Sequence, residues 1–170
     1  MTAGTINLPK DAASTRSNIL AAAVQTLQRG GIEGFTLDAV ARRAGVVKGL
    51  ILYHYASRGR LLRAAASQIA TTRSAALERA LASGAGAGGL DACWEELRRQ
   101  AEDGTARAWI SLCAAGLIDR SARNAEFEDT ARDAGIDGSA IALAAGVPLA
   151  DAKDAYDALW LTLLEVTQKS

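Results

Sequence analysis

The sequence has few of the residues on which metal sites, disulfide scaffolds and nucleophilic catalysis depend. Its 170 residues include one His, two Cys, two Pro and one Met. A lone His cannot build a Cys/His zinc arrangement, and Cys93 and Cys113 fall in no CxxC spacing, so neither a metal nor a cofactor is expected. Two cysteines are also too few for a disulfide framework, which makes a reducing cytoplasm the expected compartment. His54 lies far along the chain from both cysteines, so no nucleophile with its base and orienting group can be drawn. No catalytic residue is assigned, and an enzyme is not expected.

Long apolar runs are missing as well. The longest, AIALAAGVPLA, is too short to cross a bilayer, and MTAGTINLPKDAA at the front lacks the apolar centre of an export signal, so no membrane partner is expected. Aromatics make up only 5% of a chain rich in Ala, a composition that favours closely packed helices. No strand pattern is found, and the expected fold class is all-α. Net charge is zero, yet it is unevenly spread: residues 1–75 hold ten basic against three acidic residues, a net of +7, which leaves −7 for the rest. A basic front half faces polyanions; the acidic remainder faces something else.

Residues 1–13 show no periodic apolar face and read as a flexible arm, with Ser14 as the N-cap of a first helix that ends at Gly30, Gly31 and Gly34. Thr36 caps a short second helix through Ala44. Gly45 stops it, and a third short helix follows from about Val47 to Tyr55. Ser57 or its neighbour opens a long fourth helix to about Leu81, and SGAGAGG at 83–89 is a connector, since it lacks the Lys-Ser or Lys-Thr of a phosphate loop. Helical patterns continue over 90–101 and 105–118, then around Phe127, over 136–145, and finally along a helix after Pro148 that carries Tyr156, Leu159, Trp160 and Leu163 on one apolar face. The expected domains are therefore the arm at 1–13, a three-helix unit at 14–57, and a helical remainder at 58–170.

Two short helices joined by a Gly turn, with Ala41 at the crossing and Val40, Val46 and Ile51 as the buried wedge, meet the demands of a helix-turn-helix. Such a unit places the start of its third helix in the major groove, here Lys48, Gly49 and Leu50: the lysine toward guanine N7 and O6, the leucine toward a thymine methyl. Tyr53, His54 and Arg58 flank that helix as phosphate contacts, and Thr36 at a helix N-terminus offers another.

The stretch GIEGFTLDAVARRAGVVKGLILYHYASRGRLL, residues 31–62, resembles the DNA-binding domain of the TetR family of bacterial transcriptional repressors. The likeness lies in the Gly-aromatic-Thr start, the Ala-x-x-Ala-Gly-Val turn, the following Lys-Gly, and the Tyr-His-aromatic-x-Ser-Arg-x-x-Leu ending. It departs at Val47, where family members often have Ser or Thr, at Leu52, often Tyr, and at Gly59, often acidic. The resemblance implies an all-α homodimer whose last helices pair and whose C-terminal half accepts a small effector that releases an inverted-repeat operator in duplex DNA. On that reading Trp94, Trp109, Cys113 and Phe127 are candidates to line the effector pocket, and Tyr156, Leu159, Trp160 and Leu163 to form the dimer contact. The rival expectation is a helical interaction module that dimerises without sequence-specific DNA binding. Salt dependence separates the two.

Overall fold

A computed structural model of the chain describes residues 8–84, 87–118 and 127–167. These form eight α-helices and no strand: α1 (Leu8–Gly30), α2 (Leu37–Ala44), α3 (Lys48–Tyr55), α4 (Arg58–Ala82), α5 (Ala87–Glu102), α6 (Thr105–Ala114), α7 (Phe127–Ala144) and α8 (Leu149–Thr167). They divide into two compact units, residues 1–68 and 69–170, with the boundary inside α4.

In the first unit α1 packs against both α2 and α3. Ile19, Ala23 and Leu27 of α1, Val40 of α2, Ile51 of α3 and Leu61 and Ala65 of α4 are fully buried, together with Phe35 from the turn before α2. The apolar spacing i, i+4, i+8 along α1 produces this stripe directly. Helix α1 nevertheless starts at Leu8, so residues 8–13, expected in the arm, are helical and Ser14 is interior to the helix and caps nothing. Pro9 explains how: proline lacks only an N–H that a first helical turn leaves unpaired anyway. Residues 1–7 lie outside the described residues.

In the second unit α5 packs on α6 and α7, and α7 packs on α6 and α8. The core is a cluster of Leu77, Cys93, Trp94, Leu97, Ala106, Ile136, Ala140, Ala152, Tyr156 and Trp160. One expectation fails here: the two short helices around Phe127 and over 136–145 are a single helix, α7. Gly135, inside this helix, sits where a Cβ would collide with Leu159 Cδ2 of α8. The packing gained by that close approach offsets the ~1 kcal/mol that glycine costs inside a helix, and the Ser139 hydroxyl donates to the Gly135 carbonyl at 2.9 Å. Helix α6 is shorter than its pattern, ending at Ala114. Residues 85–86 of the connector, and 119–126, lie outside the described residues.

Candidate nucleic-acid interface

The turn between α2 and α3 is built from both ends. Thr36 has extended backbone and accepts the Ala39 N–H on its side-chain oxygen at 3.1 Å, which caps α2. At the other end Gly45 takes φ 67°, ψ 31°, a left-handed conformation that any Cβ would strain, and its N–H bonds to the Ala41 carbonyl. Val47 then precedes α3 with no side-chain cap, as its apolar side chain dictates.

Two polar residues of α1 hold this turn in place, and the sequence reading passed over both. Asn18 Nδ2 donates to the Ala44 carbonyl at 2.9 Å, satisfying the last turn of α2. Arg16 Nη1 donates to the His54 carbonyl at 2.7 Å, and its guanidinium lies 4.4 Å from the centre of the Tyr55 ring. The Tyr55 hydroxyl completes the tie by donating to the Arg16 carbonyl at 2.9 Å. Burial pushes the Tyr55 pKa up, against the opposing pull of the Arg16 charge, so the phenol keeps its donating proton. No local signal marks them, since their partners lie 26 and 38 residues further along the chain.

With its frame fixed from beneath, α3 turns its other side to solvent. Val47 is 74% exposed and Tyr53 81%, high values for apolar and aromatic residues on so small a unit. Lys48 and Gly49 are exposed with them, while Leu50 and His54 are half-buried. The Tyr53 and His54 rings meet edge to face at 5.2 Å. Thr36 is exposed at the N-terminus of α2. Lys48 Nζ lies 3.1 Å from Asp38 Oδ2 of α2. Arg58 stands apart from the rest: its Nε donates to the Phe35 carbonyl at 2.9 Å and its guanidinium packs near the Phe35 ring, so its first task is to pin the turn that enters α2.

The residues expected to line a pocket are not brought together around one set of neighbours. Trp94 is buried against Tyr156, with ring centres 5.3 Å apart. Trp109 is buried elsewhere, beneath the Arg73 guanidinium at 4.5 Å, and donates from Nε1 to Asp137 Oδ1 at 3.2 Å. Cys113 is half-buried. The side chains of Phe127 and Leu163 lie outside the described residues.

The expected dimer contact needs correction at Tyr156 and Trp160. Tyr156 is 1% exposed in its own unit's core and its hydroxyl donates to the Leu90 carbonyl at 2.9 Å; Trp160 is 9% exposed beside it. A helix face already used to close a core is not available to a second copy, and helical spacing alone cannot tell the two uses apart. Leu159 leans the same way, onto Gly135.

The family model described as bacterial regulatory proteins, tetR family, matches residues 19–65, the span from α1 through the start of α4. Comparison with curated proteins finds no match. Among solved structures, one assigned to a TetR-family transcriptional regulator from Rhodococcus sp. superposes with a TM-score of 0.51 at 24% identity, covering 89% of this chain and 97% of that one. A gamma-butyrolactone receptor described as ArpA-like gives 0.52 at 22% identity, covering 91% and 88%. The multidrug binding protein EbrR, complexed with imidazole, gives 0.52 at 21% identity, covering 96% and 97%. Residues 19–65 thus match the helix-turn-helix domain of the tetR family, and the chain shares the fold of these structures, with a helical C-terminal part following that domain in sequence.

Proposed function

We propose that the protein is a transcriptional repressor that binds duplex DNA as a homodimer and leaves its operator when a small molecule binds the C-terminal helices. The observation that carries the reading is the exposed side of α3. Lys48, Gly49 and Tyr53 stand out from a unit that holds nine basic residues against three acidic ones. Lys48 meets guanine N7 and O6, and Leu50 a thymine methyl. Tyr53, His54 and the terminal nitrogens of Arg58 grip phosphates on either side, as does the N-terminus of α2 behind Thr36.

Two copies reading an inverted repeat must hold their α3 helices about 34 Å apart. An effector that favours another spacing therefore releases DNA through differential affinity alone. The fold is shared with a gamma-butyrolactone receptor and a multidrug binding protein, which supports a ligand-responsive second unit. So does a buried polar atom there with no hydrogen-bond partner among the described residues, Gln100 Oε1. Trp94, Trp109 and Cys113 remain the proposed neighbours of the effector. Pairing is assigned to the outer side of the last two helices, where Ile141, Leu149 and Leu161 are 48%, 51% and 63% exposed.

A mobility-shift titration of the DNA upstream of the coding region, repeated across a salt series, tests the reading. Repression predicts binding that weakens with a log-log slope near −0.9 per phosphate contacted. No shifted band even at low salt supports the interaction module instead, and binding that survives Lys48→Ala and Arg58→Ala together overturns the site assignment.

A further inference from the structure

Asp38 is the only acidic residue between Glu33 and Glu78, and it stands beside the one lysine of α3. It pairs with Lys48 across the turn at 3.1 Å, although Arg42 lies one turn along its own helix. Both partners are well exposed, 51% for the lysine and 69% for the aspartate, so the pair does little to hold the fold. On a surface that attracts phosphate, a carboxylate at this place lowers affinity for any duplex.

We propose that Asp38 is a specificity-determining residue: it makes Lys48 a reader of neutral base edges and a poor ligand for phosphate. This rests on the DNA-binding reading above. The lysine ammonium carries three donors. One stays on Asp38 Oδ2, and the other two are left for guanine N7 and O6, which are uncharged acceptors that a neighbouring carboxylate does not repel. A phosphate approaching the same ammonium meets the carboxylate as a like charge. Asp38 therefore penalises the sequence-independent mode, in which phosphates supply all the attraction, more than the base-reading mode. It also aims the lysine, whose flexible stem otherwise leaves the ammonium free to swing to either strand.

The test uses the full chain and four versions of it: unchanged, Asp38→Asn, Lys48→Ala and the double variant. Duplexes are first enriched by the unchanged protein from a library with a randomised core. Fluorescence anisotropy at one fixed salt concentration then measures affinity for an enriched duplex and for a scrambled duplex of equal composition. Asp38→Asn is expected to tighten scrambled binding by about five-fold, the factor for one like charge removed at roughly 4 Å in water. Affinity for the enriched duplex should change by less than about two-fold, so the ratio falls. Lys48→Ala should abolish that fall in the double variant.

Equal tightening on both duplexes overturns the proposal, because it makes Asp38 a bulk charge only. An undiminished fall of the ratio without Lys48 overturns it too. If the unchanged protein enriches no sequence, the DNA-reading proposal fails first and this one with it. Far-UV circular dichroism melting confirms that each variant is folded.

Discussion

The Lys48 to Asp38 pair in the first unit and the Arg73 to Asp137 pair in the second have nearly the same length, 3.1 and 3.0 Å, in opposite surroundings. The first is open to water on both sides. In the second, Arg73 is 5% and Asp137 16% exposed, the arginine is stacked on Trp109, and the aspartate also accepts the Trp109 indole N–H. Water screens the first pair almost completely, so its geometry is available for exchange with another ligand. The second pair has lost most of its solvent, so its attraction is screened far less. The difference marks a division of labour: the first unit leaves its charge pair open to water, and the second uses one to tie α4, α6 and α7 together.

The largest effect that sharpens this comparison is expected at Asp137. Asp137→Ala takes a carboxylate away from a buried guanidinium and from the Trp109 indole N–H, and should destabilise the second unit by about 3 kcal/mol. Thermal or denaturant unfolding followed by circular dichroism reads the loss. Replacing Arg73 and Asp137 together by Met and Leu should recover most of it, since no charge is then left unpaired. A double variant as unstable as Asp137→Ala alone would show that the site depends on charge itself.

The helix-turn-helix answers on a smaller scale. Thr36→Ala removes the oxygen that caps α2 and should cost about 1 kcal/mol. Thr36→Ser should restore nearly all of it, because the hydroxyl and not the methyl accepts the Ala39 N–H.

How far this architecture was legible in the sequence also divides between the two units. Helix α2 was readable to the residue and α3 to within one, because Thr36 and Gly45 are chemical punctuation at the two ends of α2, and Ser57 marks the start of α4 just past α3. The exposed residues of α3 followed from the same local logic. Asn18 and Arg16 were not readable, because their partners lie 26 and 38 residues away and no local rule selects them. In the second unit the helices were found, but the apolar face of α8 was assigned to a second copy when Tyr156 and Trp160 belong to the core. Periodicity tells that a face is apolar; only the packing partner tells what covers it. The single helix α7 was split for a related reason, since the close approach of Leu159 to Gly135 that favours its continuity is made by another helix.

A smaller effect again is expected on α5, whose surface carries ion pairs between residues one turn apart. Hydrogen bonds from Arg99 hold the Glu96 carboxyl below its ordinary pKa; burial pushes the other way, and a bond from Gln100 adds to the lowering. A depressed carboxylate pKa stabilises the fold above the unfolded value, near 4.3. The contribution is lost as pH falls through the lower, folded value. Glu96→Gln should therefore reduce the melting temperature slightly at neutral pH, by the few tenths of a kcal/mol typical of helix-surface pairs. The two melting curves should converge in acid. A gap that persists below both pKa values would mean that packing, not charge, is what Glu96 contributes.

The smallest change in stability is expected at Lys48, and there the comparison bears most directly on function. Losing an exposed pair should alter the unfolding free energy by less than about 0.5 kcal/mol, and Lys48→Ala also places the best helix-forming residue at the start of α3. If α3 reads DNA, the same substitution should weaken binding to an enriched duplex by about 1–3 kcal/mol, the value of one good base contact. Melting and anisotropy measured on one preparation separate the two quantities. A variant that melts like the unchanged protein and has lost the duplex places Lys48 at the contact, because a structural role would have moved the melting curve first. If stability and binding fall together, Lys48 serves the fold in the way Asp137 does, and the contrast between the two ion pairs disappears.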